Sequence, residues 1–121
     1  MKRALVCEDD KPIRALVSRV VQREGFTVDT ARDGVEALSK IRNDEYDLLV
    51  LDLMMPRVGG LEVLRYIREH LPSRLKRVIV MTAVSQDIEG FIAPICTFLQ
   101  KPFDIDELTR AVRECAQVAE A

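Results

Sequence analysis

Four short apolar runs in this chain each end in side chains able to handle a phosphate or a metal. Ala4-Leu5-Val6-Cys7 gives way to Glu8-Asp9-Asp10, and Leu48-Leu49-Val50-Leu51 ends in Asp52. Val78-Ile79-Val80-Met81 closes on Thr82, and Thr97-Phe98-Leu99 runs into Lys101. Three carboxylates gathered in one place repel each other: two unit charges 4 Å apart cost roughly 4 kcal/mol at an effective dielectric of 20. Such a cluster attracts a hard cation. Mg2+ suits it, being content with a few carboxylates plus water and partial to phosphate oxygens. A carboxylate can attack a phosphoryl group to form an aspartyl phosphate. The rest of that chemistry is positioning and charge stabilisation, to which Lys101 adds a positive charge and Thr82 a hydroxyl donor.

Each residue also has a blander reading. Lys101 can pair with Asp52 in a structural ion pair, Thr82 can cap a strand end, and Glu8-Asp9 can be a solvated acidic turn. Five side chains of complementary role, each at a strand end, make a functional cluster the better reading.

The elements that must position these residues follow from periodicity. The run from Leu48 lacks alternation and reads as a strand buried on both faces, and Pro56 with Gly59-Gly60 turns the chain just beyond Asp52. After the first strand, Asp10 is placed to cap a helix with Pro12 in its first turn and Ile13, Leu16, Val17, Val20 and Val21 inward, stopped by Gly25. Phe26 to Thr30 reads as the second strand. Asp33 and Glu36 resemble a capping box opening a helix with Ala37, Leu38 and Ile41 inward. A third helix starts near Gly60, with Leu61, Leu64, Ile67 and Leu71 as its buried stripe, and Pro72 ends it. Ser85 to Ile92 has weak helical character interrupted by Gly90 and Pro94, which predicts a short or irregular element over 84–96. Asp104 and Glu107 open the last helix, with Phe103 and Leu108 as a hydrophobic staple and Val112 and Cys115 continuing its inner face.

Strands alternating with helices five times over predict an α/β fold, a doubly wound parallel sheet with helices on both faces. The order 2-1-3-4-5 is one of two common solutions, and ligands bind outside the carboxyl ends of such strands. At 121 residues the chain fits one domain, 1–121. With 48% hydrophobic and 31% charged residues it has an ordinary globular composition, and a formal charge of −2 gives no general attraction to nucleic acid or anionic membranes. No apolar run exceeds four residues, so neither a membrane span nor a secretory leader is read. Cys7, Cys96 and Cys115 are odd in number and lack metal-ligand spacing, so they are expected to be buried, reduced thiols in a cytoplasmic protein.

The segments Val6-Cys7-Glu8-Asp9-Asp10, Asp47 to Pro56, Val80-Met81-Thr82-Ala83 and Phe98-Leu99-Gln100-Lys101-Pro102-Phe103 together resemble the receiver domain of two-component response regulators. The match runs from Leu5 to about Val118, and it implies a flavodoxin-like fold and an activity. Asp52 would accept a phosphoryl group from a sensor histidine kinase or a phosphotransfer protein. Asp9 would bind Mg2+ directly, Glu8 largely through water, and the Met54 backbone carbonyl would complete the metal site. Thr82 would be the switch hydroxyl, Lys101 the phosphate-binding lysine and Phe98 the switch aromatic, with a cis Lys101-Pro102 bond. The domain would assist its own phosphorylation and slow self-dephosphorylation without being an enzyme in the ordinary sense. Its output would be a downstream protein partner or a fused output domain, with no direct nucleic-acid contact.

The chain departs from the family in a shortened interval between Thr82 and Lys101, with Pro94 where the fourth helix would end. Three other functions fit the same residues less well. A receiver-like binding module working without phosphorylation would lack the acceptor or the acidic pair, and both are here. A flavin carrier needs a phosphate-cradling loop of Gly, Ser or Thr after the first strand, where Glu8-Asp9-Asp10 would repel the phosphate. A phosphatase using an aspartyl intermediate needs a second aspartate two residues beyond Asp52, where Met54 stands.

Overall fold

β3 (Leu48–Asp52) and β4 (Val78–Thr82) are buried at every residue, as strands covered on both faces must be. Around them lie β1 (Arg3–Cys7), β2 (Thr27–Ala31) and β5 (Thr97–Gln100), all parallel, in the order β2-β1-β3-β4-β5. This is the expected doubly wound order. The computed structural model describes residues 2–83 and 95–120. The expected short element over 84–96 falls almost entirely outside the described residues.

Alternating side chains of the strands feed two separate cores. Leu5, Cys7, Leu49, Leu51, Val78 and Val80 face α2 (Gly34–Asn43) and α3 (Gly60–His70), through Ala37, Ile41, Val63, Leu64 and Ile67. Ala4, Val6, Leu48, Val50, Ile79 and Met81 face α1 (Lys11–Arg23) and α4 (Ile105–Glu120), through Val17, Val20, Val21, Leu108 and Val112. Two apolar layers hold the strand ends rigid at one edge of the sheet.

Helix starts follow the sequence in part. Asp104 and Glu107 form a reciprocal capping box at α4, Glu107 N–H donating to Asp104 Oδ1 at 2.7 Å and Asp104 N–H to Glu107 Oε1 at 3.4 Å. At α2 the Glu36 amide donates to Asp33 Oδ1 at 2.8 Å, but the Glu36 carboxylate reaches the Arg32 amide instead of closing the box on Asp33. Asp10 is the N-cap of α1, yet its side chain makes no capping bond, leaving Pro12 to set the first turn.

Two leucines expected in the core are outside it. Leu61 is exposed because the α3 stripe is Gly60, Val63, Leu64 and Ile67, and one residue is a rotation of about 100° on a helix. Leu16 is 43% exposed and lines a groove beside the strand ends rather than the core of α1.

The cysteines correct a second expectation. Cys7 is a free, buried thiol, but Cys96 and Cys115 are joined in a disulfide. Docking α4 against the sheet brings their Cα atoms to 5.9 Å, inside the range a disulfide spans, although 19 positions separate them in sequence.

Candidate functional site

The strand register carries Glu8, Asp52, Thr82 and Lys101 to one edge of the sheet. Cys7 pairs with Leu51, Asp52 with Met81, and Thr82 with Gln100, so Glu8 and Lys101 follow in the next layer. Backbone bonds extend the ladder past the strands: Glu8 N–H donates to the Ala31 carbonyl at 3.0 Å, and Lys101 N–H to the Thr82 carbonyl at 2.8 Å. The Lys101-Pro102 bond is cis, as expected.

Glu8 and Thr82 are completely buried, Asp52 is 2% exposed, and Asp9 projects into solvent. Lys101 Nζ donates to Glu8 Oε1 at 2.6 Å and to Asp52 Oδ2 at 3.1 Å, one ammonium shared by two buried carboxylates. Asp52 Oδ1 accepts from the Met54 amide at 3.0 Å, and Glu8 Oε2 from the Asp10 amide at 3.3 Å. Burial, then the neighbouring Asp52, pushes the Glu8 carboxyl up to about 7, against the opposing pull of Lys101. Burial works to lower the Lys101 pKa, but its bonds to Glu8 and Asp52 outweigh this and raise it.

Oxygens of Glu8, Asp9 and Asp52 all lie within 4.8 Å of one another. Three carboxylates against one ammonium leave an excess of negative charge, and all the donors are hard oxygens. The residues present therefore fit a small hard dication such as Mg2+.

Several positioning residues went unread in the sequence. Arg14, one turn into α1, donates through Nη1 to the carbonyls of Glu8 at 3.0 Å and Asp9 at 3.3 Å, fixing the acidic turn. Gly60 carries the expected turn and helix start, but its close packing leaves no mark in the sequence. A Cβ there would stand 2.3 Å from the Asp52 carbonyl oxygen, so the start of α3 packs directly on the Asp52 backbone. Gly34 does the same for the loop after β3, since its Cβ would meet the Val58 carbonyl oxygen at 1.9 Å. That loop is further tied by Arg57, at φ 67°, whose Nη1 reaches Asp33 Oδ2 at 3.4 Å. Close approaches of this kind leave no periodicity to detect.

Phe98 is half-buried and packs against the core on the α2–α3 side. Beside Lys101, an open groove of about 400 Å³ is lined by Ile13, Leu16, Ala83, Pro102 and Phe103.

The family model described as "Response regulator receiver domain" matches residues 4–113. The chain belongs to the response regulator receiver family. This receiver is 43% identical over 117 residues to the response regulator MprA of Mycobacterium ulcerans, covering 92% of this chain and 48% of that protein. It is 42% identical to MprA of Mycobacterium avium, covering 92% of this chain and 49% of that protein. The chain thus spans about half the length of the curated relatives it matches. Among solved structures, the receiver resembles the Thermotoga maritima response regulator TrrA, in complex with Mg2+ and BeF, with 37% identity and a TM-score of 0.81 over 95% of this chain and 99% of that one. It also resembles the BeF3-activated receiver domain of DrrB, a Thermotoga maritima protein, with 32% identity and a TM-score of 0.82 over 97% and 98% of the two chains.

Proposed function

We propose that residues 1–121 form one receiver domain that accepts a phosphoryl group on Asp52 in a Mg2+-dependent reaction and thereby switches a protein-interaction surface. The observation that carries this reading is one lysine shared between buried Glu8 and Asp52, with Asp9 beside them. Glu8, Asp9, Asp52 and the Met54 carbonyl would hold the ion, which when bound neutralises phosphoryl oxygens. An Asp52 oxygen attacks the phosphorus of a donor histidine, the P–N bond breaks, and the imidazole leaves with its electron pair and takes up a proton. Lys101 transfers one of its hydrogen bonds from the carboxylates to a phosphoryl oxygen. Thr82 donates its hydroxyl to another, and Phe98 takes up the space the threonine vacates.

The donor in this reading is a sensor histidine kinase or a phosphotransfer protein. The groove lined by Ile13, Leu16, Pro102 and Phe103 offers it an apolar foothold beside the acceptor, which accounts for the exposed Leu16. A downstream partner or fused output domain would read the phosphorylated form. A cytoplasmic location follows from a histidine-kinase donor, and among the described residues no helix is long and apolar enough to cross a membrane.

Incubation with acetyl phosphate and Mg2+, followed by intact mass, tests the reading. The chain should gain one phosphoryl group, and Asp52→Asn should gain none. Equal labelling of the variant, or full labelling in chelator, would count against Asp52 as the acceptor.

A further inference from the structure

The disulfide closes a covalent ring that has Lys101 at its far end. Cys96 immediately precedes β5, and Cys115 is the eleventh residue of α4. From Cys96 to Lys101 the chain is extended for five residues, on the order of 16 Å. From Ile105 back to Cys115 it is helical for ten, on the order of 15 Å. Two arms of nearly equal length are bolted together at the base, and their tip is the lysine that holds Glu8 and Asp52. Phe98 sits on the strand arm, two residues from the bolt.

The two cysteines are not equally buried. Cys115 is wholly buried among apolar side chains with Leu108 and Val112, whereas Cys96 is half-buried. An incoming thiolate therefore attacks Cys96 Sγ, and Cys115 leaves into apolar surroundings where it takes up a proton. A second thiol of the reductant then displaces Cys96, so the bond gains two electrons and two protons while the dithiol becomes a disulfide. In reducing compartments, where we place this chain, the disulfides that do occur are mostly transient and redox-sensing.

We infer that the Cys96–Cys115 bond is a redox-responsive clamp on the β5–Lys101–α4 unit, and that a dithiol reductant releases it and eases the phosphoryl-driven movement of Lys101 and Phe98. The inference rests on the phosphoacceptor reading of Asp52. A crosslink at the base prevents the arms from sliding or splaying, so the tip can adjust only within the loop at 101–104. Releasing the base restores that freedom. By linkage, a phosphoryl mimic at Asp52 makes the bond easier to reduce by the same factor that reduction improves binding of the mimic.

The experiment is calorimetric titration of Mg2+ and beryllofluoride into the oxidised chain and the chain reduced with dithiothreitol, in a Cys7→Ala background that removes the third thiol. Alkylation and intact mass report the redox state. The reduced form should bind about fivefold more tightly or better. The Cys96→Ser, Cys115→Ser double variant should bind like the reduced form and ignore dithiothreitol. If it does not fold, the two redox forms of the parent chain carry the same test. Equal binding in both forms overturns the clamp and leaves the acceptor reading standing. No binding in either form overturns the acceptor reading and the clamp with it. Failure of dithiothreitol to reduce the folded chain also overturns the clamp.

Discussion

β1 has a charged cluster at each end, and the two are built on opposite terms. At its start, the Arg3 guanidinium bonds Asp29 at 2.7 Å and Asp44 at 3.2 Å, while its amide bonds Asp47 at 2.9 Å. The Tyr46 hydroxyl donates to the same Asp29 oxygen at 2.8 Å, and the Arg3 guanidinium lies 5.1 Å over the Tyr46 ring. The Tyr46 bond, helped by Arg3 against burial, holds the Asp29 carboxyl below its usual range. These groups are partly open to water and mutually satisfied. At the other end, Glu8 and Asp52 are buried and share one ammonium, with Asp9 adding charge from outside. The first cluster stabilises a fold. The second keeps an excess of negative charge, which fits a bound cation.

The largest expected effect tests that asymmetry directly. Lys101→Met leaves two buried carboxylates without their cation, and breaking a buried pair costs about 3–5 kcal/mol. Urea unfolding in chelator at pH 8 should show a loss of this order. Arg3→Met should cost far less, because exposed ion pairs contribute little. Similar losses from the two variants would erase the distinction between the clusters.

Next in size is a pH dependence. The Glu8 carboxyl is raised from 4.5 to about 7 in the folded chain, so the fold binds its proton more tightly than the unfolded chain does. The stabilisation is full below pH 4.5 and is lost as pH rises through about 7. The change is about 3 kcal/mol, taken from the shift in pKa. In chelator, unfolding midpoints should fall over that window in the native chain and not in Glu8→Gln. Saturating Mg2+ should reverse the fall, since it binds the ionised cluster of the folded chain. A flat profile in chelator would mean that Lys101 already compensates Glu8 in full.

The two clusters also differ in how well the sequence announced them. Unbroken apolar runs and the side chains that end them were enough to place Glu8, Asp9, Asp52, Thr82 and Lys101 at one edge of the sheet. The Arg3 cluster was not read, since its members are ordinary surface charges until the β1–β2 and β1–β3 pairings bring them together. The disulfide was misread for the same reason: only packing of α4 on the sheet makes Cys96 and Cys115 neighbours. Local signals were followed in part both at helix starts and on helix faces. Asp104 and Glu107 pair as their spacing implies, whereas Leu16 and Leu61 are exposed, and Val63, outside the expected stripe, fills the core on α3.

At the satisfied end of β1, Tyr46→Phe removes one partly buried hydrogen bond and should cost about 1 kcal/mol. It should leave labelling of Asp52 by acetyl phosphate unchanged. Reduced labelling in this variant would show that the two ends are coupled through β1, contrary to the division drawn between them.

The last effect is similar in energy, but it falls on a rate instead of on stability. Met54 follows Asp52 by two residues and is 62% exposed, so the fold gains little from it. Its amide donates to Asp52 Oδ1 at 3.0 Å, so its Cα lies close to that carboxylate. A thioether orients water poorly, so the aspartyl phosphate should be long-lived. Met54→Asn supplies a donor and an acceptor where a hydrolytic water must approach. One net hydrogen bond of about 1 kcal/mol in the transition state corresponds to a roughly fivefold faster loss. The readout is the decay of the phosphorylated mass after acetyl phosphate is removed, with the unfolding midpoint measured alongside. Faster decay at unchanged stability fits a cluster organised for chemistry, where an exposed residue can set a lifetime. An unchanged lifetime would place control of the water with other polar side chains of the strand-end cluster, Glu8, Asp9, Thr82 or Lys101.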